Sequence, residues 1–448
     1  MTKPTDGVSV TRPGLAGSKI AESLRCLSMS LHLLPVEQAF LAGSAGDATA
    51  MAMRIVVAAA EFVGAKRLVE ITSAHIDGCL HHGDGGVEFA ERLVRGGARV
   101  AVPTTLNVGA LDLLHPEKMR ADAHKTEMAR RQMDAYVEMG ASPTFTCAPY
   151  QVGHEPRFGE QVAWGESNAI AFVNSVLGAR TERYGDFLDA CCAITGRAPL
   201  HGLHLSENRM ATVVVDATAV PESLKSQDVF FPVLGTWLGL AVGQEVSAIV
   251  GLPKTTSRDQ LKAVGAAAAS SGAVALFHVV GVTPEAHTLE AATDSNEQLQ
   301  RITLDANMLR SALDRLSTAT DTTRVDAVAV GSPHFSIEEF EELARLVTGL
   351  RSSVPFYACT ARATLQQLEE RGGARVLRDA GIDIIVDTCV VVTPILPAGG
   401  GVLMTNSGKF AHYGPSNTGY EVVYGSLEDC VRSAVAGSVV RDEALWTW

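Results

Sequence analysis

Three thiols stand where chemistry tends to gather. Cys147 in SPTFTCAPY, Cys359 in VPFYACTARAT and Cys389 in IDIIVDTCVVV lie far apart, yet each follows a strand-like run. In an open α/β fold, ligand sites form outside the carboxyl ends of parallel strands, so three such thiols can converge on one point. Three thiolates around an iron–sulfur cluster leave one iron partly uncoordinated, and such an iron can act as a Lewis acid. The same spacing also fits three buried apolar cysteines, because no CxxC pair occurs anywhere. Cys359 precedes Thr360, read as a helix N-cap, and the positive end of that helix would stabilise a thiolate. Cys191 and Cys192 fall in the helix-like DFLDACCAITG and read as core; Cys26, Cys79 and Cys430 read as dispensable for a metal.

Polar residues cluster at the ends of other strand-like runs. In SAHIDGCLHHG (residues 73–83) a strand is expected to end at Ser73, and the loop beyond offers His75, Asp77, His81 and His82. Imidazole and carboxylate together move protons near neutral pH or bind metal, and the same residues also suit a solvated turn. VPTTLNVG (102–109) supplies Thr104, Thr105 and Asn107 for a carboxylate or hydroxyl, although Thr and Asn also cap helices. GESN (165–168) sets Glu166 near Trp164 at a helix start, with Ser167 or Asn168 as the expected cap. A partly buried carboxylate there has a tunable pKa and can donate or accept a proton. HGLHLSENR (201–209) ends a predicted strand with Glu207 and Arg209; the guanidinium either clamps a substrate carboxylate or pairs with Glu207. MTNSGKFAHYGP (404–415) reads as a glycine-punctuated anion-recognition loop carrying Ser407 and Lys409, without P-loop spacing.

The elements that must position these groups alternate between apolar strands and amphipathic helices along the chain, which predicts an α/β fold with mostly parallel sheets. The 448 residues, 46% hydrophobic and 19% charged, suit a globular enzyme of two or three domains. Expected units are 29–240, 241–395 and a C-terminal segment 396–448 completing the site, with glycine- and proline-rich junctions at 239–253 and 394–401. Residues 1–28 lack the apolar centre of a secretory signal and read as a flexible leader, with Met29 an alternative start. A net charge of −13 argues against a nucleic-acid partner, because phosphates call for a basic stripe. No run of about 18 uninterrupted apolar residues predicts a membrane span. Eight cysteines without a small-domain disulfide framework fit a reducing, cytoplasmic setting.

In order from about Ser30 to Ser426, the motifs AHIDGCLHHG, VPTTLNVGALDL, TCAPYQVG, WGESNAIAFVNSVLGART, HGLHLSENR, DTCVVVTPI and MTNSGKFAHY resemble the large subunit of aconitase X, a divergent branch of the aconitase superfamily. The resemblance implies three α/β domains and makes Cys147, Cys359 and Cys389 ligands of a 2Fe–2S or 4Fe–4S cluster or of mononuclear iron. GESN is similar to the aconitase GTDSHT segment, which implies a proton-handling or hydroxyl-binding role for Glu166. It further implies a hydro-lyase in which His75, Glu166 and Glu207 serve catalysis. Asp77, Thr104, Thr105, Asn107, Ser167, Arg209, Ser407 and Lys409 would then hold a small hydroxy or imino acid. Related enzymes need a swivel domain with a serine base in a Gly/Ser-rich loop; no GRGS-type loop occurs here, so a separate small subunit is expected. In this family the substrate is cis-3-hydroxy-L-proline, giving 1-pyrroline-2-carboxylate, or in archaeal members mevalonate 5-phosphate. The scarcity of Arg and Lys in these loops favours the imino acid. A cluster-binding sensor or scaffold without turnover is the reading of a different class; it leaves the polar strand ends without a use.

Overall fold

A computed structural model of the chain describes residues 31–293, 299–319 and 322–448. The expected leader and Cys26 lie outside them. Three units follow one another, each built on a parallel sheet. The first carries an antiparallel pair, β1 (Leu68–Glu70) with β5 (Arg197–Pro199), and a parallel sheet of β2 (Ala74–Ile76), β3 (Thr104–Leu106) and β4 (Ala163–Trp164) in the order β3-β2-β4. The second is a four-stranded parallel sheet, β8-β7-β6-β9, from β6 (Val213–Asp216), β7 (Ser247–Val250), β8 (Phe277–Val279) and β9 (Gln300–Thr303). The third is a five-stranded parallel sheet, β12-β11-β10-β13-β14, from β10 (Ala327–Val330), β11 (Phe356–Thr360), β12 (Ile382–Val386), β13 (Val402–Thr405) and β14 (Glu421–Tyr424). The α/β architecture expected from strand–helix alternation is the one observed. The 239–253 stretch joins the helix Phe230–Val242 to β7 within the second sheet, and 394–401 leads into β13 within the third.

The sequence explains why these strands lie inside. AVAV in β10, FYACT in β11 and VLMT in β13 are buried at every position, the continuous burial that a parallel sheet covered on both faces demands. Covering helices begin on strong signals, such as the Ser336–Glu339 capping box before Ile337–Val347 and the Ser257–Gln260 box before Arg258–Ser271. Each unit has its own apolar core, and a further cluster gathers Cys359, Cys389, Ile385, Val390 and Phe410 between elements of the third. Among the described residues no helix is long and apolar enough to cross a membrane.

Several local expectations are corrected. The strand expected to end at Ser73 instead runs from Ala74 to Ile76, because β3 pairs with it there; His75 is therefore a strand residue rather than a loop residue. TFTC forms no strand: Thr146 N–H donates to Leu106 O (3.0 Å), while the Thr144 hydroxyl accepts from Leu106 N–H and donates to Leu106 O (both 3.0 Å). Cys147 thus follows a side-chain-strapped loop. HGLHL is a 3-10 turn, Gly202–His204, pinned by Glu182 accepting from Leu203 N–H. Thr360 closes β11 with its hydroxyl on Phe335 O, and Ala361 caps the following helix instead. Beyond β13 the expected loop is the helix Gly408–Thr418, capped by Ser407.

Candidate active site

The carboxyl edge of the first parallel sheet is built in two rows. His75 pairs in register with Thr105 on one side and Trp164 on the other. Alternate residues share a strand face, so the next row is Asn107, Asp77 and Glu166, two positions beyond each. The ladder is carried past the strand ends by Asn107 N–H to Ile76 O (2.8 Å) and Gly165 N–H to His75 O (2.7 Å). Gly165 is required there: a Cβ would lie 2.8 Å from Asp77 Cβ and run into the Asp189 carboxylate.

In the second row, the Asn107 amide donates to Asp77, and Asp77 N–H donates to Asp189 Oδ2 at 2.6 Å. Burial first, then the nearby charges of Glu166, Asp186 and Asp189, push the Asp77 carboxyl up to about 8, with Lys409 pulling the other way. Burial likewise pushes Asp189 up to about 7, against the amides that it accepts. Glu166 itself, rather than Ser167 or Asn168, is the N-cap: its Oε2 accepts from Ala169 N–H at 2.8 Å, and its own backbone is left-handed at φ 63°. Its other oxygen pairs with Lys409, which reaches across from the third unit. Burial drags the Lys409 pKa down, but Glu166 and then Cys147 and Cys389 outweigh it and raise it.

Two of the cysteines, Cys147 and Cys389, lie near this lysine. Cys147, Cys359 and Cys389 are buried, and the charges of Cys147 and Cys389 count among the causes that raise the Cys359 thiol after burial itself. His334 clamps two of the thiol-bearing loops. Its N–H points at Cys147 Sγ (3.3 Å), its Nδ1 meets Thr146 Oγ1 (3.0 Å) and its Nε2 meets the Thr388 carbonyl (3.0 Å). Backbone amides of the 390–392 turn face the sulfurs, Val390 toward Cys359 and Val391 and Val392 toward Cys389. Gly331, at φ 86°, lets β10 approach the Cys359 backbone, where a Cβ would lie 2.8 Å from its nitrogen. Buried thiols faced by amides and an ammonium are a donor set suited to an anionic iron–sulfur group. Among the described residues, no three His, Cys, Asp or Glu side chains close around a single ion.

Other expected residues fall elsewhere. Arg209 is buried with its donors committed to both Glu285 oxygens, Asn174 Oδ1 and the carbonyls of Leu203, Asn174 and Ala179, so it is a structural cation without room for a substrate. Glu207 is exposed on the 3-10 turn Ser206–Arg209, and it is Glu285 that pairs with the arginine. Thr104, on the opposite strand face from Thr105, donates to Val102 O (2.8 Å). Ser407 accepts from Phe410 N–H and donates to Ser332 O, which commits its hydroxyl to capping. Ser167 is half-buried as the first helical residue behind Glu166. His81 pairs with Asp84 away from these rows. Sequence reasoning missed Asp189, His154 and His334 and read Asn168 only as a cap candidate; the Asn168 amide donates to Cys147 O (3.0 Å) and its Oδ1 has no partner. Unpartnered buried atoms on His75, His154, Asn107, Asn168 and Trp164 mark the same region as built to receive something. A separate cavity of about 250 Å³ between the second and third units reaches Ser407 and Lys409 but none of the three cysteines.

The fold has a solved counterpart. A crystal structure of Thermococcus kodakaraensis aconitase X in its holo-form superposes with a TM-score of 0.81 at 34% identity, covering 90% of this chain and all of that one. Descriptions of the aconitase X first, second and third domains match residues 30–207, 211–314 and 325–436. The chain belongs to the aconitase X family. A cis-3-hydroxy-L-proline dehydratase of Pseudomonas aeruginosa is 44% identical over 407 residues, 90% of this chain and 69% of that protein. A phosphomevalonate dehydratase large subunit of Methanothermobacter thermautotrophicus is 38% identical over 409 residues, 90% of this chain and 98% of that one. These curated relatives are dehydratases, and the chain is accordingly an enzyme of the hydro-lyase class.

Proposed function

We propose that this chain is the large subunit of an iron–sulfur hydro-lyase that converts cis-3-hydroxy-L-proline to 1-pyrroline-2-carboxylate together with a separate small swivel subunit. The observation that carries the choice of substrate is the charge of the site. Asp77, Asp189 and Glu166 crowd the second row, with Asp186 near enough to raise the first two. Cations are scarce: Lys409 reaches this row but shares itself with Glu166, while Arg209 and Arg362 are committed elsewhere, to Glu285 and Asp387. A phosphate dianion calls for free, convergent cations. A ring ammonium calls for nearby carboxylates, and this row supplies them.

Cys147, Cys359 and Cys389 would hold the cluster, with the facing amides of Val390, Val391 and Val392 supporting an anionic group there. When bound, it supplies Lewis acidity to the departing hydroxyl. Around it, Lys409 gives one of three donors to Glu166 and offers the others to the substrate carboxylate, joined by Asn107. Asp77, protonated near neutral pH, and His75, with a free Nε2, stand near the leaving group. A serine of the partner would remove the proton α to the carboxylate. Relatives named as large subunits, matched along nearly their whole length, support that division.

The test is anaerobic co-expression with the small subunit, followed by assay of both substrates. Formation of 1-pyrroline-2-carboxylate is expected. Turnover of mevalonate 5-phosphate with none of the hydroxyproline would reverse the assignment.

A further inference from the structure

The first row holds an arrangement the reading above does not use. Thr105 Oγ1 lies between two imidazoles, 2.9 Å from His75 Nδ1 and 2.6 Å from His154 Nδ1. Both rings lie against Trp164, with centroids 5.7 and 5.0 Å from its own. Neither Nε2 has a hydrogen-bond partner, and His75 is fully buried. Burial holds His75 well below the usual imidazole range, helped by His154, and pulls His154 down to about 4. Both rings are therefore neutral at working pH, each with one N–H and one bare nitrogen.

A hydroxyl has a single proton. If Thr105 donates to one Nδ1, it accepts from the other, and the two rings must adopt opposite tautomers. Two Nδ1–H rings would leave the buried Thr105 proton without an acceptor, which is the costlier arrangement. One Nε2 is thus a donor while the other is an acceptor, and moving protons along the chain exchanges them.

We propose that His154 and Thr105 are positioning residues that set the tautomer of His75 and resupply its proton. The inference rests on the dehydratase reading. In the donor state His75 carries Nε2–H, Thr105 donates to its Nδ1, and His154 Nδ1–H donates to Thr105 Oγ1. As the substrate C–O bond breaks with its electron pair on oxygen, the His75 Nε2 proton passes to that oxygen to give water. The Thr105 proton moves to His75 Nδ1, the His154 Nδ1 proton moves to Thr105, and His154 Nε2, itself buried, is reprotonated by a water entering from the exposed Gly153–Glu155 edge. Each atom ends with its proper valence, and the two rings have exchanged tautomers. His154 suits the outer post, lying half-buried between exposed Gly153 and Glu155.

The test has two arms. Long-range proton–nitrogen correlation spectra of the full chain, free of iron and labelled with ¹⁵N-histidine, report each tautomer directly, and H75Q and H154Q assign the signals. Opposite tautomers are expected, and T105V should abolish that fixed relation. In the two-subunit enzyme, T105V and H154Q should lower kcat by roughly tenfold or more with KM within about threefold, and T105S should restore most of the loss. Two rings in the same tautomer, or parental kcat in either variant, would overturn the proposal. The spectroscopic arm needs no substrate, so its outcome stands whether or not the dehydratase reading does.

Discussion

Changing Glu166 to Gln isolates the charge that faces Lys409. The substitution keeps the shape and one oxygen for Ala169 N–H, but turns an NH2 donor toward the lysine and removes the negative charge from a pair whose side chains are 6% and 15% exposed. Removing one partner of a buried pair costs about 3–5 kcal/mol. The one retained hydrogen bond, worth roughly 0.5–1.5 kcal/mol, should leave a net loss of about 2–4 kcal/mol. The loss should depend on iron. Burial pushes the Cys147 thiol up to about 12, so without a metal it carries no charge at neutral pH, and Glu166 is left as the principal counter-charge of Lys409. Metal ligation deprotonates thiols and supplies negative charge beside the same ammonium. Anaerobic urea unfolding of apo and iron-loaded E166Q should therefore show the larger penalty in the apo form, while iron content stays at the parental level. Turnover of the two-subunit enzyme should drop by about tenfold or more if the carboxylate also handles a proton. An apo penalty under about 0.5 kcal/mol, the range of ordinary surface changes, would refute the charge argument.

Serine at Cys147, Cys359 or Cys389 should abolish or sharply reduce bound iron by anaerobic metal analysis, whereas C191S and C430S should keep it. His334→Ala should lower iron occupancy without touching a ligand, because it frees Thr146 and Thr388 from their clamp. The Asp77 carboxyl, raised from 3.8 to about 8, holds a proton in the folded chain that the unfolded chain has lost between those values, so its contribution to stability is full below the lower value and fades as pH rises through the upper. D77N should flatten the fall in Tm between pH 5 and about 8.5, with Asp189 leaving a residual slope; an unchanged profile would place the proton elsewhere. Arg209→Lys should lower Tm while leaving kcat within about twofold, since Lys cannot reproduce a bidentate pair with Glu285 and the guanidinium donors are already committed to protein acceptors. The iron-loaded chain alone should show no turnover, and adding the small subunit should restore it without changing iron content; activity of the single chain would remove the two-subunit reading.

Most of the fold was legible because parallel strands buried on both faces read as continuous apolar runs. IDIIVDTC, VDAVAVG and GGGVLMTNS became β12, β10 and β13, and amphipathic stretches between them became the covering helices. What escaped was held by side chains rather than by pattern. The loop before Cys147 looks like a strand in composition, yet two threonines tie it to Leu106 and no ladder forms. Arg209 looks like a substrate clamp because Glu285, which occupies it, is 76 residues away. Ser407 and Glu166 each proved to be helix caps, a role that depends on where the helix begins, the boundary that sequence fixes least well.

One signal was available and went unread. His75 and Asp77, Thr105 and Asn107, and Trp164 and Glu166 are three pairs spaced by two, each at the end of a strand-like run. Period-two spacing puts both members of a pair on the same strand face, and parallel neighbours in register turn three such pairs into a grid. The inner row then places Thr105, His75 and Trp164 side by side beneath the outer row of Asn107, Asp77 and Glu166. His154 completes the inner row from a loop, where no periodicity could announce it, and its contacts with the Thr105 hydroxyl and the Trp164 ring reveal that it belongs there. The outer row faces the lysine and the thiols, so charge is set at the mouth of the site. Proton placement is set one residue layer deeper, which is why substitutions at Glu166 should be read in stability and iron dependence, and those at Thr105 in tautomers and kcat.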